Sequence, residues 1–313
     1  MEGFTFKSLL NQDPSTKSVI LLGTKLDPET KTERDAILML EKLHFVEREI
    51  PSLNADSGRL LDINMSDSND VYSWFKAKMA NNFTTGQDAS DHSPLNDVEI
   101  QLIFPASKNH IAKYSYQPRH MIVENYELFK KVISPVIDGF PPQNLTWVHN
   151  LIAGISEKES ILYHDKDAEN GFALSYDSKW DRRTISSLYL LVIVNRKDIR
   201  CLRDLNQSHL PMLKNIINTV PGQVEKAYSG QIKADQLRLF IHYPPTYYHF
   251  HVHVVNTHNV NAPGMTVGQA HMLSSVIENI ENFDSNYYQK VTMHYSLGDQ
   301  HSFYKAIKEQ ASK

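Results

Sequence analysis

Cysteine is almost absent. Cys201 is the only one in 313 residues, so no disulfide can close within the chain and stability must come from packing. Long apolar runs are absent too. The longest, LYLLVIV at Leu188–Val194, falls far short of the roughly 20 residues a membrane-spanning helix needs, and it is expected as a buried strand. The opening MEGFTFKSLL has no basic head followed by an apolar stretch, so no secretory signal is expected. Neither charge dominates: 32 Lys and Arg stand against 36 Asp and Glu, which leaves no global footprint for DNA or a membrane. No internal repeat is present. These absences point to a soluble intracellular protein, in which the Asn144-Leu-Thr146 sequon is accidental. What is present, 41% hydrophobic residues over this length, supplies a sizeable core in one large or two ordinary domains.

The first third reads as a small mixed domain. SVILLGTKL (Ser18–Leu26) is expected as a strand, and TERDAILMLEKLHF (Thr32–Phe45) as a helix capped by Thr32. DVYSWFKAKMA (Asp70–Ala80) is expected as a second helix, the polar stretch Asn81–Asp97 as a flexible loop, and DVEIQLIFPAS as a strand. The pattern then changes. Pro118 disfavours a helix just before it, and one is expected after it as far as Lys130. The domain boundary is therefore drawn near Tyr116, separating residues 1–116 from 117–313. Beyond it, LTWVHNLIAG, ILYH and SLYLLVIVN read as strands and SHLPMLKNIINTV as a helix. A closing helix is expected from Gly268, with Ala270, Leu273, Ile277 and Ile280 on one face. The fold class is α+β.

YHFHVHVV, Tyr248–Val255, carries the chemistry. His249, His251 and His253 alternate with apolar residues, so in a strand the three imidazoles share one face. LRLFIHY just before it also alternates, and Pro244–Pro245 supplies a turn. An antiparallel hairpin is expected to bring His242 near His249. Three uses fit such a cluster. Alternating histidines can ligate zinc or iron, although the first acid after His253 is the distant Glu278. A neutral imidazole can attack a phosphate without a separate base. A hydrogen-bonded structural cluster is the third.

His249-Phe-His251-Val-His253-Val-Val255 resembles the histidine-triad signature of nucleotide hydrolases and transferases. His253, where the galactose-1-phosphate uridylyltransferase branch usually has Gln, favours the hydrolases. HYPPTYYHFHVHVV, LRDLNQSHLPMLKNI, DSKW and FPASKNHIAKY together resemble the scavenger mRNA decapping enzymes, from about Val98 onward. That resemblance implies hydrolysis of the 7-methylguanosine cap of short capped RNA or of the cap dinucleotide, with no metal or other cofactor. The products are 7-methylguanosine monophosphate and a 5′-diphosphate end. It implies His251 as the nucleophile of a covalent nucleotidyl-histidine, supported by His242, His249 and His253, with Thr246 and Tyr247 along the phosphates.

For the base, the resemblance implies stacking on Trp147, contacts to Glu157 and Asp177, and a phosphate contact from Lys179. The chemistry is consistent: 7-methylguanine carries positive charge, which an indole face and carboxylates both reward. Lys113 is implied to reach the phosphates from a small N-terminal domain that acts as a lid. A domain-swapped homodimer, in the cytoplasm with the nucleus as a second compartment, is implied as well. Two positions depart from the family: Ser178 replaces an apolar residue that covers the base, and Gln269 replaces a basic residue on the closing helix. A general dinucleoside-polyphosphate hydrolase and a non-catalytic cap-binding homologue are the alternatives.

Overall fold

The computed structural model describes residues 3–42, 60–69, 72–79, 98–156, 158–177, 180–260, 262 and 264–312. Its contacts divide the chain into two compact units, Met1–Gln117 and Pro118–Lys313.

The first unit holds a four-stranded antiparallel sheet in the order β1 (Thr5–Asp13), β2 (Ser18–Leu26), β3 (Glu33–Lys42), β6 (Val98–Ile103), with β4 (Leu60–Asn69) and β5 (Tyr72–Met79) paired separately. Two expected helices are thus strands. β3 is rich in helix formers, but Ala36, Ile37 and Leu38 are buried in succession between β2 and β6. A centrally paired strand buries such a run on both faces, and this tertiary gain overrides a weak local preference. In β5 the Tyr, Trp and Phe of YSWFKAKM favour a strand on their own account. The loop expected at 81–97 lies outside the described residues. A short helix, α1 (Lys108–Tyr114), follows β6; Ser107 Oγ accepts the His110 amide and His110 Nδ1 accepts the Ser107 amide, both at 3.2 Å.

In the second unit the residues after Pro118 form a strand first, β7 (Arg119–Glu124), and only then a helical run made of α2 (Tyr126–Leu128), a π segment at Phe129–Ile133 and α3 (Ser134–Asp138). LTWVHNLI, expected as a strand, is the helix α4 (Thr146–Ile152), with Val148 and Leu151 buried one turn apart. The main sheet is antiparallel and six-stranded, in the order β13 (Ala270–Met272), β11 (Leu237–His242), β12 (His251–Asn256), β10 (Tyr189–Val194), β9 (Phe172–Tyr176), β8 (Ile161–His164). The long helix α5 (Leu210–Ala227) buries Met212, Leu213, Ile216, Val220 and Val224. It continues through Pro221, since one lost backbone hydrogen bond is offset by keeping Val224 in the core.

Ala270 belongs to β13, where it faces His242 across the ladder, so the helix begins later than expected, as α6 (Leu273–Glu278). Nor does that helix close the chain: β14 (Met293–Gly298) pairs with β7, and α7 (Ser302–Ala311) ends the fold.

The six-stranded sheet positions the site because its two faces differ. Leu174, Leu190, Val192, Val252 and Val254 point into the large core with α5 and α6. Ala173, Leu191 and Ile193 point the other way, against Val148 and Leu151 of α4. Register puts Ile193 opposite His251, and both Leu191 and Phe240 opposite His253. The imidazoles of His251 and His253 therefore lie on the face away from the large core, the one packed by α4.

Candidate active site

His251 opens β12, and its Nδ1 lies 2.8 Å from the carbonyl oxygen of His249. A carbonyl only accepts, so Nδ1 carries the proton and the in-plane lone pair sits on Nε2. His249 is fixed in the same way: its Nε2 donates to the Val194 carbonyl at 2.8 Å. Burial first, then the neighbouring His149 and Lys197, hold its pKa below the ordinary histidine value against the opposing pull of the Val194 carbonyl, so it is neutral at pH 7. His149 of α4 stands beside it, with ring centroids 6.0 Å apart.

His253 Nδ1 shares a 2.9 Å hydrogen bond with the hydroxyl of Tyr189, whose pKa is raised by burial and by Asp177. Its ring stands edge-on to that of His251 at 5.0 Å and close to that of His242 at 3.9 Å. The expectation that His242 neighbours His249 is therefore corrected. Because Phe240 pairs with His253, the same register sets His242 level with His251, two residues short of His249. Behind His242 lies Gly264, at φ +82°, where a Cβ atom would fall 2.3 Å from His242 Nε2.

The segment between β11 and β12 supplies the other wall. Tyr247 stacks on His251 with centroids 4.1 Å apart and planes 14° from parallel. Burial, then Asp177 and Tyr189, raise the Tyr247 pKa, so its hydroxyl stays protonated and can donate. Trp147, on helix α4 rather than at the start of a strand, meets the Tyr247 ring edge-on at 5.0 Å and remains 38% exposed. Asp177 is buried, with its amide donating to the Tyr189 carbonyl at 3.1 Å.

Thr246 is exposed and borders two cavities. One, of about 390 Å³, includes Leu145 and Tyr247. The other, of about 300 Å³, includes Arg119 and Gln269. Gln269 lies in the turn before β13, not on a helix, and its carbonyl accepts the Tyr243 amide at 2.8 Å. Glu157, Ser178 and Lys179 lie outside the described residues. Lys113 is in the last turn of α1, in the first unit, with its ammonium 5.0 Å from the Tyr114 ring centroid. Among the described residues no three His, Cys, Asp or Glu converge as a metal set.

Three features of the site had no signal of their own in the sequence. The hydroxyl of Tyr189 is hidden in an apolar run, and only strand register brings it to His253. Gly264 acts through contact with a residue 22 positions earlier. Beneath the Tyr243–Tyr248 segment, Glu124 accepts from Arg203 Nε at 2.9 Å, from Tyr243 at 2.6 Å and from Tyr295. Arg203 also donates to the carbonyls of Tyr288 and Val291 at 2.8 and 2.7 Å, so both charges are fully buried and fully paired.

Comparison with known proteins adds a second line of observation. Residues 1–117 match the family described as scavenger mRNA decapping enzyme N-terminal, and residues 146–267 the one described as scavenger mRNA decapping enzyme C-term binding. A protein of Schizosaccharomyces pombe named m7GpppX diphosphatase is 35% identical over 307 residues, covering 98% of this chain and 95% of its own. Proteins of the same name from Homo sapiens and Caenorhabditis elegans are each 32% identical, covering 98% and 92% of this chain and 86% and 85% of their own.

Proposed function

Because the chain belongs to the scavenger mRNA decapping enzyme family, we propose that it acts as an m7GpppX diphosphatase through His251. It hydrolyses the m7GpppN cap of short capped RNA or of the cap dinucleotide. The observation that carries the mechanism is the hydrogen bond from His251 Nδ1 to the His249 carbonyl. A neutral imidazole protonated at Nδ1 offers its Nε2 lone pair as the nucleophile with no base needed to free it.

In the first step Nε2 forms a bond to the phosphorus attached to 7-methylguanosine. The bond from that phosphorus to the next bridging oxygen breaks, and the electron pair leaves with the 5′-diphosphate end. In the second step a water oxygen bonds to the same phosphorus and the P–N bond breaks. The lone pair returns to Nε2, the water's proton passes to solvent, and 7-methylguanosine monophosphate is released. Tyr247, stacked on His251 with a protonated hydroxyl, keeps the imidazole in plane and is suited to donate to a phosphate oxygen. Trp147 and the buried Asp177 supply the aromatic face and negative charge that favour a methylated, cationic base.

His251→Asn should bind 7-methylguanosine monophosphate as the wild type does and lose turnover of the methylated cap dinucleotide by orders of magnitude. The unmethylated dinucleotide is the control for base recognition. Near-normal turnover by the variant would remove His251 from the mechanism, and equal use of both dinucleotides would remove the cap selectivity. Metal independence and a homodimeric state rest on the family resemblance. Unchanged turnover after EDTA treatment, and twice the chain mass in solution, are the expected results.

A further inference from the structure

Cleavage yields two products, and two cavities meet at the turn that holds Thr246, sharing Phe140, Thr246 and Tyr248 in their walls. The one that includes Tyr247 and Leu145 lies on the Trp147 side. The other, about 300 Å³, is at the small end of the range for ligand pockets. We infer that this second cavity is the binding site for the departing 5′-diphosphate nucleotide, with Arg119 as its phosphate-binding residue. The inference rests on the decapping reading and extends it to the half of the substrate that leaves.

Charge is the first argument. Arg119, on β7, donates from Nε and Nη2 to Ser296 Oγ at 3.2 and 2.8 Å, and from Nη2 to the Ser296 carbonyl at 2.8 Å. Both partners are neutral, so these bonds hold the guanidinium in position without cancelling its charge. No carboxylate lines the cavity among the described residues. A fixed cation with no counter-ion in a concave, partly walled site favours an anion. Nε and Nη2 are spent on Ser296, which leaves the two N–H groups of Nη1 to meet phosphate oxygens.

His301 adds a donor without adding charge. Its Nδ1 accepts the Phe303 amide at 3.2 Å, which leaves the proton of the neutral ring on Nε2. Burial, then the neighbouring Arg119, lower its pKa and keep it in that form at pH 7.

Shape is the second argument. Phe140 and Tyr248, which wall this cavity and border the other, stand with ring centroids 5.6 Å apart, and Phe140 is 36% exposed. A nucleobase can stack on that exposed ring while its diphosphate meets Arg119, and such stacking tolerates any base. Thr246, at the edge of both cavities, adjoins Tyr247, which stacks on His251. The phosphates of one substrate can therefore run past the turn from one cavity to the other. Gln269, also in the lining, is neutral, so Arg119 is the only full charge the cavity offers among the described residues.

The test is equilibrium binding of the two products, neither of which is hydrolysed. GDP serves as the diphosphate product and 7-methylguanosine monophosphate as the cap product. In Arg119→Ala, GDP affinity should fall about tenfold or more, as expected for loss of a charge-assisted contact, while affinity for the cap product stays within about twofold by the same reasoning. Adding Gln269→Arg to that variant returns a cation to the same cavity and should recover most of the GDP affinity. Unchanged GDP affinity in Arg119→Ala overturns the assignment. So does an equal loss for both ligands, which would mean a general effect on the fold. Because binding is read without turnover, the result stands apart from the cap assay. A wild-type protein that binds GDP through Arg119 but fails on capped dinucleotide would refute the decapping reading and leave this site in place.

Discussion

A methyl group at position 264 would have to lie 2.3 Å from His242 Nε2, and neither the left-handed backbone nor the packed imidazole can move far to admit it. His242 would be displaced, and its ring lies only 3.9 Å from that of His253. Gly264→Ala should therefore lower kcat by about tenfold or more, since small misplacements of reacting groups are costly. KM should stay within about twofold, because nothing that holds the base has changed. The backbone penalty of about 1 kcal/mol is too small to unfold the protein, and a melting curve run beside the kinetics separates the two effects. At this scale the sequence was legible wherever chemistry has a period. Histidines at every second position announced a shared face, and the structure brings His242, His251 and His253 together on it. Tyr189 and Gly264 could not be read, because their importance comes from partners that only register and a loop crossing provide.

The elements around the site are tied through one buried ion pair. Glu124 ends β7, Arg203 lies in the short 3-10 helix Leu202–Asp204 after β10, Tyr243 follows β11 and Tyr295 belongs to β14. Removing the cation leaves a buried carboxylate with only tyrosines to hold it. Arg203→Leu should cost about 3–5 kcal/mol, measured as a drop in the urea midpoint. Glu124→Gln in the same background should recover part of that loss, because it removes the stranded charge. Element type was legible where burial and local preference agree. The valine- and leucine-rich β10 and the alternating β11 and β12 emerged as expected. It failed where they disagree. ERDAILMLEK is composed for a helix and folds as β3 because two neighbouring strands bury it. TWVHNLI looks extended but forms α4, with Val148 and Leu151 gripping the sheet.

For the whole molecule, acid should be destabilising sooner than carboxylates alone would dictate. His149, His209, His249, His271 and His301 all lie in the second unit, and burial holds each of them below the usual histidine pKa. Above pH of about 6.5 these rings are neutral both folded and unfolded and contribute no pH dependence. Below it the unfolded chain takes up protons that the folded one refuses, so stability falls as pH falls. The melting temperature should drop between pH 7.5 and 5.5. Carboxylates with lowered pKa values, such as Asp181 and Asp284, act only nearer their own range, around pH 4. A melting temperature flat across that window would contradict the buried-histidine account.

The bond that orients His251 has one further implication, for how this protein can vary. Its acceptor is the peptide carbonyl of residue 249, and every amino acid carries one. No exchange of side chain at position 249 removes it, so the proton on the proposed nucleophile is shielded from mutation in a way that a carboxylate partner would not be. Replacing His249 tests its ring against Val194 while leaving the carbonyl in the chain. Lineages that abandon catalysis then have one direct route at this hydrogen bond, the loss of His251 itself. An intact histidine at that position is therefore an informative mark of a working copy.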